Sequence, residues 1–333
     1  MAYTTIDDPT QYFNTVTWTG TSDATTAVTG VGHQPDFVWV KNRAVADDHT
    51  LHDPVRGGTK TLFSNADNSE GTNAESIKSF DTDGFTTGNH RGTGGNDGNT
   101  MVAWNWKETA TAGFDIVTYT GDGTSDDSKT VSHSLSAAPN MIIVKCRSAT
   151  GSWQTSSTAL GWNNVLLLDT DAAKSADTYA YGVSGVTPSS STFTVSASSG
   201  GNHTNTNLAT YVAYLWSEKQ GFSKFGSYIG NGGSQNFIYT GFKPAFVIFK
   251  KSSGTNHWNL YDNKRNTSNP ESNLHYPSLS DTEASFAAVD FVSNGISIKT
   301  DNTNFNDSGG TYIYMAFAEA PFVNSNGVPC NAR

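Results

Sequence analysis

The sequence predicts an all-β protein of three tandem antiparallel β-sandwich domains, jelly-roll-like in architecture. Three observations carry that expectation. A Pro-to-Lys strand is written three times: "QPDFVWVKN" from Gln34, "APNMIIVKC" from Ala138 and "KPAFVIFKK" from Lys243. Pro35, Pro139 and Pro244 recur at a period of about 105 residues, far above a solenoid repeat and close to one small domain. The segments between turn clusters are rich in Val, Ile, Thr, Tyr, Phe and Trp, the residues that fit a pleated surface.

Each element can be read in order within the period. The opening strands are "FNTVTW" from Phe13, "FDIVTY" from Phe114 and "FGSYIG" from Phe225. The Pro-to-Lys runs follow, near-continuously apolar, as strands covered on both faces are. Proline fits the first strand position, where no ladder donor is lost. The terminal Lys41, Lys145 and Lys250 mark where the strand leaves the core. Mid-repeat come "SFDTDGFTTG" (Ser79 to Gly88), "TPSSSTFTVS" (Thr187 to Ser196) and "DFVSNGISIKT" (Asp290 to Thr300). Gly- and Asn-rich loops follow, at 92–99, 198–207 and 306–310. The closing strands are "MVAWNWKE", "YVAYLWSE" and "YIYMAFAE", which align Trp106, Trp216 and Phe317. Residues 1–10 read as an N-terminal arm able to dock. Residues 11–109, 110–222 and 223–333 read as the three repeats, the last with a C-terminal tail. "DTDAAKSADTYA" (Asp169 to Ala180) is the best candidate for a short helix.

Composition narrows the function classes. Charged residues make up 15 % of the 333 and the net charge is −10. The polar surface is therefore Ser, Thr, Asn and Gly rather than ions. No Lys/Arg cluster offers a phosphate-binding stripe, so no nucleic-acid partner is expected. No apolar run reaches the ~20 residues of a membrane helix. The N-terminus lacks the basic and apolar regions of a secretory signal. Cys146 and Cys330 read as two free thiols of a protein folded in a reducing cytosol.

No motif for catalysis stands out, so no enzyme activity, cofactor or resident metal is expected. "HTLHDPVRG" (His49 to Gly57) is the most reactive-looking stretch. His49, His52 and Asp53 are residue types that ligate metal or form a base with its orienter. The third repeat keeps only part of it, "HWNLYDNKR" (His257 to Arg265). The shared Asp53 with Arg56, and Asp262 with Arg265, read as structural ion pairs holding a turn. "DTDG" (Asp81 to Gly84) and "DNTNFND" (Asp301 to Asp307) hold fragments of a calcium loop without its full ligand set. Trp39, Trp104, Trp106 and Trp216 lie in strands and read as core. Trp153, Trp162 and Trp258 lie in or near loops, where an exposed ring would offer a ligand-binding platform for a sugar or a partner.

The phrases "QPDFVWVKNR", "LHDPVRG", "MVAWNWKE", "FKPAFVIFK" and "GGTYIYMAFAEAPFVNSNGVPCNAR" resemble a repeat domain found in virion proteins, tail and tail-fibre proteins among them, of marine bacteriophages. The resemblance runs through all three repeats; the second departs most, lacking the Asp and Arg. It implies location rather than chemistry: a structural protein on the outside of a virion, made in the bacterial host cytoplasm. Its expected partners are other virion proteins, further copies of itself (a trimer first) and a host surface glycan or protein. A tail fibre or tail-associated adhesin leads; a capsid decoration or head-fibre protein and a lectin-like module are the alternatives.

Overall fold

The computed structural model describes residues 3–95, 97–126, 128–176, 180–181, 186–197 and 203–330. The fold is all-β, built of antiparallel sheets. In the first repeat the strands are β1 (Phe13–Thr19), β2 (Thr26–Thr29), β3 (Phe37–Asn42), β4 (Thr50–His52), β5 (Lys60–Phe63), β6 (Gly71–Thr72), β7 (Ile77–Asp81), β8 (Gly84–Thr87) and β9 (Thr100–Trp106). The second has β10 (Phe114–Thr120), β11 (Lys129–Ser132), β12 (Met141–Cys146), β13 (Gln154–Ser157), β14 (Asn164–Leu167), β15 (Ser175–Ala176), β16 (Thr192–Val195) and β17 (Thr210–Trp216). The third has β18 (Ser223–Ile229), β19 (Asn236–Tyr239), β20 (Phe242–Lys251), β21 (Asn259–Asp262), β22 (Glu271–Leu274), β23 (Ala284–Val292), β24 (Gly295–Ile298) and β25 (Thr311–Pro321).

One plan recurs. The large sheets run β1-β9-β3-β4-β5-β6, β10-β17-β12-β13-β14-β15 and β18-β25-β20-β21. The small sheets run β2-β8-β7, β11-β16 and β19-β24-β23-β22. In each repeat the opening strand pairs with the closing strand, which pairs with the Pro-to-Lys strand. Pro35 and Pro139 precede their strands, whereas Pro244 lies within β20 where the register shifts, a bulge that tolerates its missing donor.

The register corrects one alignment. Phe13 faces Trp106 and Phe114 faces Trp216, but Ser223, not Phe225, faces Phe317. The third repeat therefore opens two residues earlier than its phenylalanine implies. Residues 169–176 form no helix. Ser175 and Ala176 instead pair with Val165 and Asn164 as an edge strand, and Lys174 N–H bonds the Ser252 carbonyl. The rest of that stretch lies partly outside the described residues.

Each repeat has its own core between large and small sheet. Val38, Val40, Ile77 and Phe85 fill the first; Ile142, Val144, Phe193 and Val195 the second; Val247, Phe249, Phe291 and Ile296 the third. The opposite faces of the three large sheets meet in one further core. Phe13, Phe37 and Trp106, Phe114 and Trp216, and Phe246 and Phe317 belong to it together. Trp106 lies 6.5 Å from Trp216 and 5.6 Å from Phe317 between ring centroids. Phe13 stacks on Phe317 at 5.0 Å and Phe37 lies 4.5 Å from Tyr214. Such aromatic pairs add about 0.5–1.5 kcal/mol each beyond area burial. The N-terminal stretch is bound into this arrangement rather than extended. Ile6 is buried in the shared core, Thr4 Oγ1 bonds the Gln220 carbonyl, and Tyr3 OH bonds that of Gly241 at 2.7 Å.

Candidate functional site

The recurring lysines are the first surprise of the side-chain geometry. They do not mark an exit from the core: all three are buried. Each Nζ donates to the carbonyl beside it, and each also reaches into another repeat. Lys145 bonds the Asp67 carbonyl at 3.0 Å, Lys250 that of Asp171 at 3.2 Å, and Lys41 that of Ser280 at 3.2 Å. The same three carbonyls accept N–H groups from Gly151, Asn256 and Asp47. The direction is cyclic: second repeat to first, third to second, first to third. Burial pulls each lysine down to about 8.

Trp153 and Trp258 obey the same rotation. Both are buried, so neither ring is a platform for a ligand. Trp153 Nε1 donates to the Phe63 carbonyl at 2.8 Å and Trp258 Nε1 to the Leu167 carbonyl at 2.9 Å. His49 holds the equivalent place in the first repeat. Its Nδ1 accepts from Trp39 Nε1 at 2.9 Å, which leaves the proton on Nε2. Burial holds His49 well below the usual imidazole range. Trp162 is likewise buried, against Tyr181 in the second repeat's own core. The sequence misreads these rings because their neighbours are polar; the polar neighbours form strands whose other face is covered.

The ion pairs are present and are parts of larger networks. Arg56 Nε meets Asp53 Oδ2 at 2.5 Å and Arg265 Nε meets Asp262 Oδ2 at 2.5 Å, all four side chains buried. Tyr214 donates to Asp53 at 2.7 Å and Trp104 to Asp262 at 2.9 Å, each from another repeat. Arg56 and Arg147 share Glu70, while Arg265 and Arg43 share Glu283. The second repeat has Ser157 and Leu160 at the Asp and Arg positions and Lys174 at the Glu position. Its partners changed in step: the third repeat carries Met315 where Tyr214 and Trp104 stand, and Ser252 where Arg147 and Arg43 stand. Two junctions are ionic and one is not, and no junction keeps half a network.

The stretches with metal-ligand residue types are held by contacts of their own. His52 Nδ1 donates to the Gly58 and Lys60 carbonyls, partners distinct from those of His49. Burial first, then Arg56, drives His52 down to about 3. Asp81 and Gly84 close the β7–β8 hairpin, and Gly84 at φ 145° lies where a Cβ would strike the Val28 carbonyl. Asp83 in that turn accepts from Gly30 and Gly32 N–H. Asn302 caps the single helical turn α1 (Thr303–Asn306), and Asp307 pairs with Lys251 at 2.7 Å. Among the described residues no group of three or more His, Cys, Asp or Glu is placed to hold a metal. Cys146 is buried and unpaired by disulfide, as is the half-buried Cys330.

One surface feature lies outside this structural logic. In the third repeat Phe237 and Tyr239 stand on the outer face of β19, 51 % and 54 % exposed. Beside Tyr239 opens a cleft of about 290 Å³ lined by Tyr3, Glu218, Gln220, Lys224 and Gly241 among others. Tyr3 OH lies 3.4 Å from Tyr239 OH, and Glu218 pairs with Lys224 at 2.7 Å. Gly241, at φ 81°, leaves the room that the Tyr3 hydroxyl occupies: a Cβ there would sit 2.7 Å from it.

Among known proteins, the sequence model of a family described as "Domain of unknown function (DUF7483)" matches residues 8–321, nearly the whole chain. No curated protein matches the sequence. Among the described residues no helix is long and apolar enough to cross a membrane.

Proposed function

The chain belongs to the DUF7483 family, and on that premise we propose that it is an exterior structural protein of a bacteriophage particle: a tail fibre or tail-associated adhesin that meets the host surface. The observation that carries the reading is the sequence resemblance to virion repeat proteins, which runs through all three repeats. The geometry supports it in two ways. The chemistry-bearing side chains found in the sequence are spent on holding the repeats together, and the aromatic rings left exposed form a contact surface. Within this reading the chain is an arm (residues 1–10) and three jelly-roll-like sandwich units (11–109, 110–222 and 223–333) closed around a common core. Made in the host cytoplasm, it assembles with other virion proteins and with copies of itself, a trimer first. It carries no enzymatic activity.

A second reading is favoured by the cyclic contacts. Three similar units arranged in rotation suit a threefold platform, as a capsid decoration or head-fibre protein would need. Antibody raised to the purified chain and applied to intact particles separates the two. Label on tails supports the adhesin; label on heads supports decoration; particles that lack the chain altogether remove both.

A further inference from the structure

The small sheets allow a comparison within one chain. β2, β11 and β19 share the same half-buried, exposed, buried, exposed pattern. Their buried positions are Val28, Val131 and Ile238. Their exposed positions are Ala27 and Thr29, Thr130 and Ser132, and Phe237 and Tyr239. The scaffold is therefore built twice with small residues at the positions where the third copy carries two aromatic rings. Large exposed rings side by side are informative where isolated ones are not.

The surroundings fit a particular chemistry. Phe237 and Tyr239 offer ring faces on one side of β19, and the Phe237 ring lies over Gly295, where a Cβ would meet it at 2.9 Å. The adjoining cleft is lined by the polar residues Tyr3, Tyr239, Gln220 and Glu218. The Tyr3 hydroxyl donates its proton to the Gly241 carbonyl at 2.7 Å, which leaves its oxygen as an acceptor toward the cleft. Lys224 neutralises Glu218 at 2.7 Å, so the cleft has no net charge to offer an ion. The whole chain carries −10 and would repel an anionic polymer. A volume of about 290 Å³ is at the small end of ligand sites.

We propose that the Phe237–Tyr239 face and the adjoining Tyr3–Glu218–Lys224 cleft bind a neutral saccharide, the rings packing on the C–H face of a hexose and the cleft meeting its hydroxyls. This deepens the adhesin reading and rests on it for its biological setting, since it names the class of host molecule met. The test uses the full chain against soluble oligomers of glucose, galactose, mannose and N-acetylglucosamine, with sulfated and uronate oligomers alongside. Saturation-transfer NMR and calorimetric titration report binding. The expected result is saturable binding of at least one neutral oligomer, weakened at least tenfold in Phe237→Ala and Tyr239→Thr. Those substitutions copy the first repeat's own residues, so the melting temperature should stay unchanged. No binding of any neutral oligomer, binding of the anionic ones alone, or binding indifferent to both substitutions would overturn the proposal. Antibody labelling of particles is independent of this outcome. Labelled tails without saccharide binding sink the ligand alone, while binding by a chain missing from particles sinks the adhesin alone.

Discussion

Tyr214 donates its hydroxyl to Asp53 at 2.7 Å, although 161 residues separate them. The contact joins the second repeat to the first, and Trp104 to Asp262 repeats it between the first and the third. Asp53 is fully satisfied: it also accepts Arg56 Nε and the Arg56 backbone N–H. A buried pair of this kind is costly to break and cheap to replace whole. Asp53→Ala should cost about 3–5 kcal/mol, because it leaves buried Arg56 with Glu70 alone and strands the Tyr214 hydroxyl. Tyr214→Phe should cost about 1.5–3 kcal/mol, the range for hydrogen bonds to a charged group. The triple change Asp53→Ser, Arg56→Leu, Tyr214→Met copies three of the five positions of the third junction and leaves Glu70 paired with Arg147. Urea denaturation should find it less harmful than Asp53→Ala alone; an equal or larger loss would deny that the network acts as a unit.

Trp258 bonds a carbonyl of the second repeat and fills part of the shared core. Trp258→Ala should destabilise by about 3–5 kcal/mol, as large-to-small core changes do. Trp258→Phe keeps most of the ring and loses the bond to Leu167, so about 1–3 kcal/mol is expected. Thermal melts of both variants check the order. A ring that served a ligand at the surface would give neither loss.

Lys145 makes three carbonyl bonds, to Asp67, Cys146 and Gly151. Lys145→Met retains the apolar stem and leaves those carbonyls short of a donor. The expected loss is about 1–3 kcal/mol. Hydrogen exchange should show the Asp67–Gly151 contact opening first.

Glu108 gives the molecule a pH dependence. Burial, and then a hydrogen bond with Asp115, push it up to about 8 from the ordinary 4.5. The folded chain thus holds a proton that the unfolded chain loses. Its contribution is full below pH 4.5 and is lost as pH rises to about 8. The three lysines act in the opposite sense in a higher window. Lowered to about 8 from 10.5, they cost stability below pH 8, and that cost lifts as pH approaches 10.5. Together these groups place a shallow minimum near pH 8. Glu108→Gln should flatten the slope between pH 4.5 and 8 and leave the rise above it, read from urea midpoints across the range. A slope unchanged in Glu108→Gln would contradict the assignment.

The strands were legible because their signals are local. Runs such as "FVWVK" are apolar throughout since both faces are covered, one by the small sheet and one by the shared core. The Asp–Arg turns were legible because the two residues stand three apart in both copies. The junctions were hidden because their acceptors are main-chain carbonyls, such as that of Ser280 under Lys41, and any residue type supplies one. A correlated signal did exist: the second repeat lacks its Asp and Arg, and the third repeat has Met315 and Ser252 in the places that would have met them. Phe225 misled because a Phe two residues into the strand occupies the same face as one at its start. The exposed Phe237 and Tyr239 carried no motif. Only the register, which sets them against Ala27 and Thr29, makes them stand out.

Three repeats fold as one body around a shared core. Differential scanning calorimetry of the whole chain tests it directly. One transition, with calorimetric and van't Hoff enthalpies in agreement, is the predicted result. Three resolved transitions, each unmoved by Trp258→Ala except the third, would show independent domains and contradict it.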